Sequence, residues 1–282
     1  MTGGMSETAV LTQTQKTRIW IEVNLLGRIA PMMTLLAYLF LFVPIVVLVA
    51  YSFNASRSTV VWSGFTLDWY GEVFKDRGLR QALQVSAIIA FVSALVSTAI
   101  GALTALAIVR RRFPGRDALS TLLLAPMVLP EIVMAVALLV FMVAMNITLG
   151  YFSMIVSHVL ITVPFATLIV RAAAASLDKR LEEAAADLGA NEWQIFWRVT
   201  FPLLLPPIVT AFLLAATLSF DNFVMSTFTS GVGTTPLPLR IYSMLKLGIT
   251  PKINALGALM VLLNVLVVVV VMGRHLKLIL KK

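Results

Sequence analysis

Long apolar runs without a single acidic or basic side chain recur along this chain, and they constrain its fold more than any other feature. Ile29 to Tyr51 is one and Ala82 to Val109 is a second. About 20 such residues, rising 1.5 Å each as a helix, cross the hydrocarbon core of a bilayer. From Ala118 to Val170 the only acidic or basic residues are Glu131 and His158. That run is too long for one crossing, and the polar break Asn146 to Tyr151 supplies the turn. Leu203 to about Phe228 makes a fifth span, interrupted by Asp221, and Asn254 to Gly273 a sixth. Composition agrees: 60% hydrophobic and 12% charged residues lie far outside the range of soluble domains. The expectation is an all-α membrane protein with six transmembrane helices.

Six crossings put both termini on one side, and basic residues near spans mark the cytoplasmic side. One set of segments holds Lys16, Arg18, Arg28, Arg110, Arg111, Arg112, Arg116, Arg171, Lys179, Arg180, Arg198, Arg274, Lys277, Lys281 and Lys282. The opposite loops hold only Arg57, Lys75, Arg77, Arg80, Arg240, Lys246 and Lys252. Both termini are therefore expected in the cytoplasm, with a tail over residues 1–28, a membrane domain over 29–273 (core about 80–273) and a basic tail over 274–282. The run after residue 28 is too long for a signal-peptide core, so no cleavage is expected. The net charge of +9 is this topological signal rather than a nucleic-acid footprint.

Catalytic chemistry has little to work with. The two histidines, His158 and His275, lie in different segments without an acidic neighbour in sequence, and there is no cysteine. No H-E-x-x-H or G-x-S-x-G occurs, and no lysine follows a glycine, so the phosphate-binding G-x-x-x-x-G-K-[ST] loop is missing. We assign no catalytic or metal-ligating residue and no cofactor. If the chain works against a gradient, another chain must hydrolyse the nucleotide.

One polar interlude, Leu177 to Pro207, interrupts the apolar pattern. Leu181, Ala184, Ala185 and Leu188 share one stripe of a short helix that Ser176 or Asp178 can cap. Gly189 suits the left-handed residue that closes such a helix. Asn191 and Gln194 form a capping-box pattern opening a second helix, with Trp193, Phe196 and Trp197 on one face. Pro202, Pro206 and Pro207 then mark the return into the membrane. The result is a helix–turn–helix elbow over about 172–202, suited either to a partner protein or to lipid headgroups.

The segment Glu183 to Pro202, EAAADLGANEWQIFWRVTFP, resembles the EAA loop of permease subunits of ATP-binding-cassette importers. Glu183, Ala184, Ala185 and Gly189 match the pattern, Val199 and Phe201 take its aliphatic slots, and Pro202 closes it. Leu124–Val133, Ser219–Leu245 and Thr250–Leu259 are similar to the spermidine and putrescine permeases. The resemblance implies a type I importer permease fold in the bacterial inner membrane. It also implies a heterodimer with a related permease, two ATPase subunits and an extracytoplasmic binding protein. It makes the elbow the coupling helix, with Glu183, Ala184, Ala185, Gly189, Trp193 and Pro202 as candidate ATPase-coupling residues.

A carboxylate near the bilayer centre costs about 2.5–3.5 kcal/mol on insertion scales, so such a group usually faces a cavity or a partner. Glu131 and Asp221, both expected in the outer half, suit an organic cation, with Asn222 beside one of them. Their competing roles are structural: Asp221 capping a broken helix, Glu131 pairing with arginines of the first outer loop. Tyr242, in an irregular outer loop expected over about Thr229 to Ile253, could stack on a cation or anchor at the interface. Trp62, Trp69 and Tyr70 fit interfacial anchors, His158 and Asn264 fit interhelical hydrogen bonds, and Pro126 and Pro130 fit a kink. The function expected is polyamine permeation. Rival expectations are the same architecture carrying an opine, an iron chelate or a phosphonate, or a scaffold or channel without an ATPase.

Overall fold

A computed structural model describes residues 13–57 and 61–279. The first twelve residues of the expected N-terminal tail, and Lys281 and Lys282, lie outside the described residues. The secondary structure is helical, and among the described residues the only β pairing is one bridge between Asn54 and Phe65. The helices are α1 (Gln13–Tyr51), α2 (Asp68–Lys75), α3 (Arg77–Arg110), α4 (Arg116–Val128), α5 (Glu131–Ala144) and α6 (Tyr151–Ser176). They continue with α7 (Arg180–Asp187), α8 (Glu192–Ile195), α9 (Phe201–Phe220), α10 (Val224–Thr229), α11 (Leu237–Lys246) and α12 (Pro251–Ile279). Among the described residues, four helical stretches are long and apolar enough to cross a membrane, and five if the bent pair α4 and α5 counts as one span.

The chain divides into two compact units, Met1–Gly71 with Thr250–Lys282, and Glu72–Ile249. In the first, α1 packs on α12, and a Cβ at Gly257 would stand 3.2 Å from the Leu48 methyls. Most of α1 is exposed from Met32 to Val46, so lipid or another chain must cover it. The loop after α1 corrects one expectation. Trp69 is buried, and its indole N–H donates to the Asn54 carbonyl at 2.7 Å, which makes it a core residue rather than an interfacial anchor. Tyr70 hydrogen-bonds Ser52 at 2.6 Å, whereas Trp62 is exposed. Asn264 donates to the Met260 carbonyl of its own helix, so the interhelical role expected for it is not seen.

The second unit is built on α3, α6 and α9. Small residues line the buried stripe of α3, including Ala90, Ser93, Ala94, Ser97, Gly101, Ala102 and Ala105. Where hydrophobic attraction between helices is weak, such residues let backbones approach closely enough for packing to hold them together. At Gly101 a Cβ would lie 2.8 Å from both the Ala166 methyl and the Thr167 backbone nitrogen. Ala102, Ala105, Ala166, Val170 and Ala211 complete this contact from all three helices.

Proline sets the sharpest feature. The residue before a proline avoids helical dihedrals, and proline itself has no N–H to donate. Leu129 is accordingly extended (φ −73°, ψ 143°), and α4 and α5 meet at 106° around Pro130, while Pro126 stays inside α4. This is a break rather than the kink expected. Glu131 is the first residue of the redirected helix α5.

Two further expectations change. The second elbow helix does not stop before the next span: a π turn over Phe196–Thr200 joins α8 to α9, with the Phe201 N–H bonded to the Phe196 carbonyl. Widening the helix by one residue just before Pro202 eases the clash a proline ring makes with the preceding turn. The segment after Thr229, expected as an irregular outer loop, is not wholly irregular either. It contains α11, whose Leu237 N–H donates to Ser86 of α3 at 2.8 Å.

The tight α3–α6 crossing yields a test. Replacing Gly101 with leucine should cost about 1–3 kcal/mol or more through overpacking. The expected readout is a lower melting temperature of the purified protein, with Gly27→Leu, at a position where nothing lies within 4 Å, as the neutral comparison.

Candidate functional site

Two regions of the second unit gather the residues singled out above. The first is the elbow. Asp178 accepts from the Arg180 N–H at 3.0 Å and opens α7. Gly189, at φ +85°, closes it: its N–H donates to the Ala186 carbonyl at 2.8 Å and the Ala190 N–H to Ala185 at 3.1 Å, a Schellman ending. Asn191 and Gln194 bond reciprocally, side chain to backbone, at 2.9 and 3.1 Å, so the capping box is formed.

The buried side of α7 is not the expected stripe. Ala185 is half-buried, but Leu181 and Ala184 are exposed and Leu188 is 90% exposed. Glu183 and Gly189 are exposed as well, and Trp193 stands 70% exposed with Trp197 edge-on to it at 5.5 Å. Pro202 lies in α9 just beyond the π turn. Facing the body of the unit instead is Glu182. It pairs with Arg110, the last residue of α3, at 2.9 Å, and accepts from the Thr200 hydroxyl at 2.8 Å. Arg111 reaches Glu192 of α8 at 3.1 Å in the open. Sequence reading passed over Glu182, since nothing in the Glu182-Glu183 pair itself tells which carboxylate turns inward.

The second region is where broken helices meet. The Asn222 carboxamide donates a short hydrogen bond to Glu131 Oε1, and its oxygen accepts from the Met225 N–H at 2.8 Å, capping α10. Side-chain capping of α10 thus falls to Asn222, Asp221 takes the C-cap of α9, and Glu131 meets the Asn222 amide rather than a first-loop arginine. Asp221 closes α9 with its carboxylate exposed. Next along the chain, the Phe223 ring lies 4.9 Å from that of Tyr242, and Lys246 sits 4.7 Å over Tyr242. The cation on Tyr242 here is the chain's own lysine, one turn away, a spacing visible in the sequence. Glu131, Asn222, Phe223 and Tyr242 are therefore joined by contacts in two pairs, with Asp221 beside them in sequence.

Behind this break lies a line of buried polar groups. His158, fully buried on α6, hydrogen-bonds Ser219 of α9 at 2.7 Å and Ser226 of α10 at 3.1 Å. A neutral imidazole donates at one nitrogen and accepts at the other, and two hydroxyls can answer either tautomer. Thr162 accepts or donates to Ser97 of α3 at 2.6 Å, and Ser153 donates to the Thr229 carbonyl at 2.7 Å. His158 therefore ties both sides of the break at Asp221 to α6, an interhelical role.

Apolar helices with buried polar ties, a broken pair of spans and an exposed elbow define a multi-pass membrane protein. The chain belongs to the family of binding-protein-dependent transport system inner membrane components, whose profile matches residues 97–279. It is 42% identical over 232 residues to the spermidine/putrescine transport system permease protein PotC of Haemophilus influenzae, covering 82% of this chain and 90% of that one. The PotC protein of Escherichia coli is 40% identical over 82% of this chain and 88% of its own. The putrescine transport system permease protein PotI of Escherichia coli is 35% identical over 80% and 83%. Among solved structures, a bacterial ABC transporter involved in import of the acidic polysaccharide alginate matches with a TM-score of 0.69. That match covers 92% of this chain and 98% of the other at 20% identity, so it speaks for the fold alone. The MetNI methionine ABC transporter, in inward-facing conformations, matches at 0.55 over 76% of this chain and 98% of its own, with 19% identity.

Removing the imidazole tests the buried line. His158→Phe leaves Ser219 and Ser226 without their partner, and a buried polar group left unpaired costs about 1–3 kcal/mol. A lower melting temperature is expected, and an unchanged one would show that the histidine ties nothing.

Proposed function

We propose that this chain is a permease subunit of an ATP-driven importer of polyamines such as putrescine and spermidine. The observation that carries the reading is the 40–42% identity to spermidine/putrescine permeases over 82% of the chain. The fold alone would not choose, since an alginate transporter shares it at 20% identity. The chemistry of the break agrees with a cation. Glu131 engages Asn222 through one carboxylate oxygen, Asp221 is exposed beside it, and the aromatic pair Phe223 and Tyr242 follows. We assign Glu131, Asp221, Asn222 and Tyr242 to the solute pathway as transient charge compensation rather than a tight site.

ATP is bound and hydrolysed by a separate homodimer of ATPase subunits, and a second, related permease completes the membrane pore. An extracytoplasmic binding protein delivers the solute. Both termini and the elbow lie in the cytoplasm. The exposed face formed by Leu188 and Trp193, with Glu183, Ala184, Ala185, Gly189 and Pro202 shaping the elbow, docks on the ATPase. Apolar side chains this exposed favour a protein partner over water. Closure of the ATPase pair moves the elbows, and the spans alternate between inward-open and outward-open states.

The test is uptake of labelled putrescine and spermidine into vesicles containing the complete complex. Glu131→Gln combined with Asp221→Asn should lower uptake at least about tenfold, as loss of about 1.4 kcal/mol of charge compensation would. Uptake equal to the unmodified complex would remove both residues from the pathway.

A further inference from the structure

The exposed face explains what the elbow presents to a partner, but not how a movement there reaches the membrane spans. The helix α8 runs on through the π turn into α9, but from α7 the covalent route is poor. The chain between α6 and α7 passes through the extended Leu177, and Gly189 and Ala190 separate α7 from α8. A push on α7 could be absorbed in these joints. The exception is Glu182. One of its oxygens takes both the Arg110 guanidinium at 2.9 Å and the Thr200 hydroxyl at 2.8 Å. Arg110 ends α3, and Thr200 is the buried last residue of the π turn that leads into α9. These are two of the three helices that form the packed heart of the second unit.

The surroundings make this contact different from an ordinary surface pair. The Arg110 and Glu182 side chains are 15% and 26% exposed, against 70% and 87% for the neighbouring Arg111–Glu192 pair. Exposed pairs are screened and weak, whereas a partly desolvated pair with an added hydroxyl bond holds one geometry. A guanidinium at a helix C-terminus is further favoured by the backbone dipole. The hydroxyl arrives from the one place where the helix is widened to five-residue bonding, a feature that often marks functional positions.

We propose that Glu182 is the positioning residue of the coupling elbow: through Arg110 and Thr200 it clasps α7 to α3 and α9, so that displacement of the elbow is delivered to those helices. The inference rests on the transport reading above and deepens it. Glu183 then faces the partner while Glu182, beside it, faces the spans, and the two carboxylates divide docking from transmission.

The experiment uses the complete complex in vesicles and measures labelled putrescine taken up per ATP hydrolysed, together with the amount of ATPase subunit that co-purifies. Glu182→Gln and Thr200→Val are near-isosteric. Each should keep the ATPase bound and hydrolysing while uptake per ATP falls roughly three- to thirtyfold, the range that coupling residues span. The charge exchange Arg110→Glu with Glu182→Arg should recover most of the ratio that Glu182→Gln loses, and Glu192→Gln should leave it unchanged. An unaltered ratio in both Glu182→Gln and Thr200→Val would overturn the proposal, as would equal losses from Glu182→Gln and Glu192→Gln. Should Glu182→Gln fail to assemble, Thr200→Val decides alone. Failure of the transport reading would register differently, as absence of nucleotide-driven uptake by the unmodified complex.

Discussion

A backbone or side-chain polar group that leaves a helix inside hydrocarbon must find another partner, and the second unit is organised around that requirement. Helices break at Pro130 and at Asp221, and each break frees amides and carbonyls. Asn222 caps the second and ties it to the first. Its oxygen takes the Met225 N–H at the start of α10, and its amide reaches Glu131, the first residue beyond Pro130. An acidic residue in the first turn of α5 is also well placed against the positive end of the helix dipole. His158 ties Ser219 before the second break to Ser226 beyond it, both to α6. The interruptions are thus held together by hydrogen bonds and carry carboxylates at the same time, as the proposed cation path would use.

Around these breaks, α3, α6 and α9 form a close-packed frame of small residues. Alanine, serine and glycine contribute little hydrophobic area, and their effect is to bring backbones near enough for dispersion and hydroxyl bonds to act. The elbow hangs from this frame rather than forming a domain of its own. Its outward face keeps leucine and tryptophan in the open, and its inward face carries one carboxylate clasped to two helices. In the proposed mechanism, function is spread between a surface that recognises and a frame that moves.

Much of this was legible in the sequence where a local rule applied without competition. Gly189 and the Asn191–Gln194 pair fixed the elbow turn because a left-handed residue and a capping box have short-range causes. The turn at Asn146 and the interruption at Asp221 followed from polarity in apolar runs. What could not be read depended on tertiary direction. Proline at 130 announces a distortion, but no local rule sets its size at 106°. Periodicity found the Leu181–Leu188 stripe yet could not say that it faces outward, since a partner surface and a core surface have the same pattern. Glu131 and Asn222, 91 positions apart, had no local signal that they would meet. Trp69 resembled an interfacial anchor until its indole was seen buried on Asn54.

The central claim is that solute cations delivered from outside are coupled to nucleotide hydrolysis through this chain. The most direct measurement is ATP hydrolysis by the complete complex in lipid nanodiscs, with its binding protein supplied in turn with putrescine, with spermidine, with a neutral sugar and with an anionic solute. The account predicts that polyamine-loaded binding protein stimulates hydrolysis and that the neutral and anionic solutes do not. Stimulation by an uncharged or anionic solute, with none by either polyamine, would contradict it.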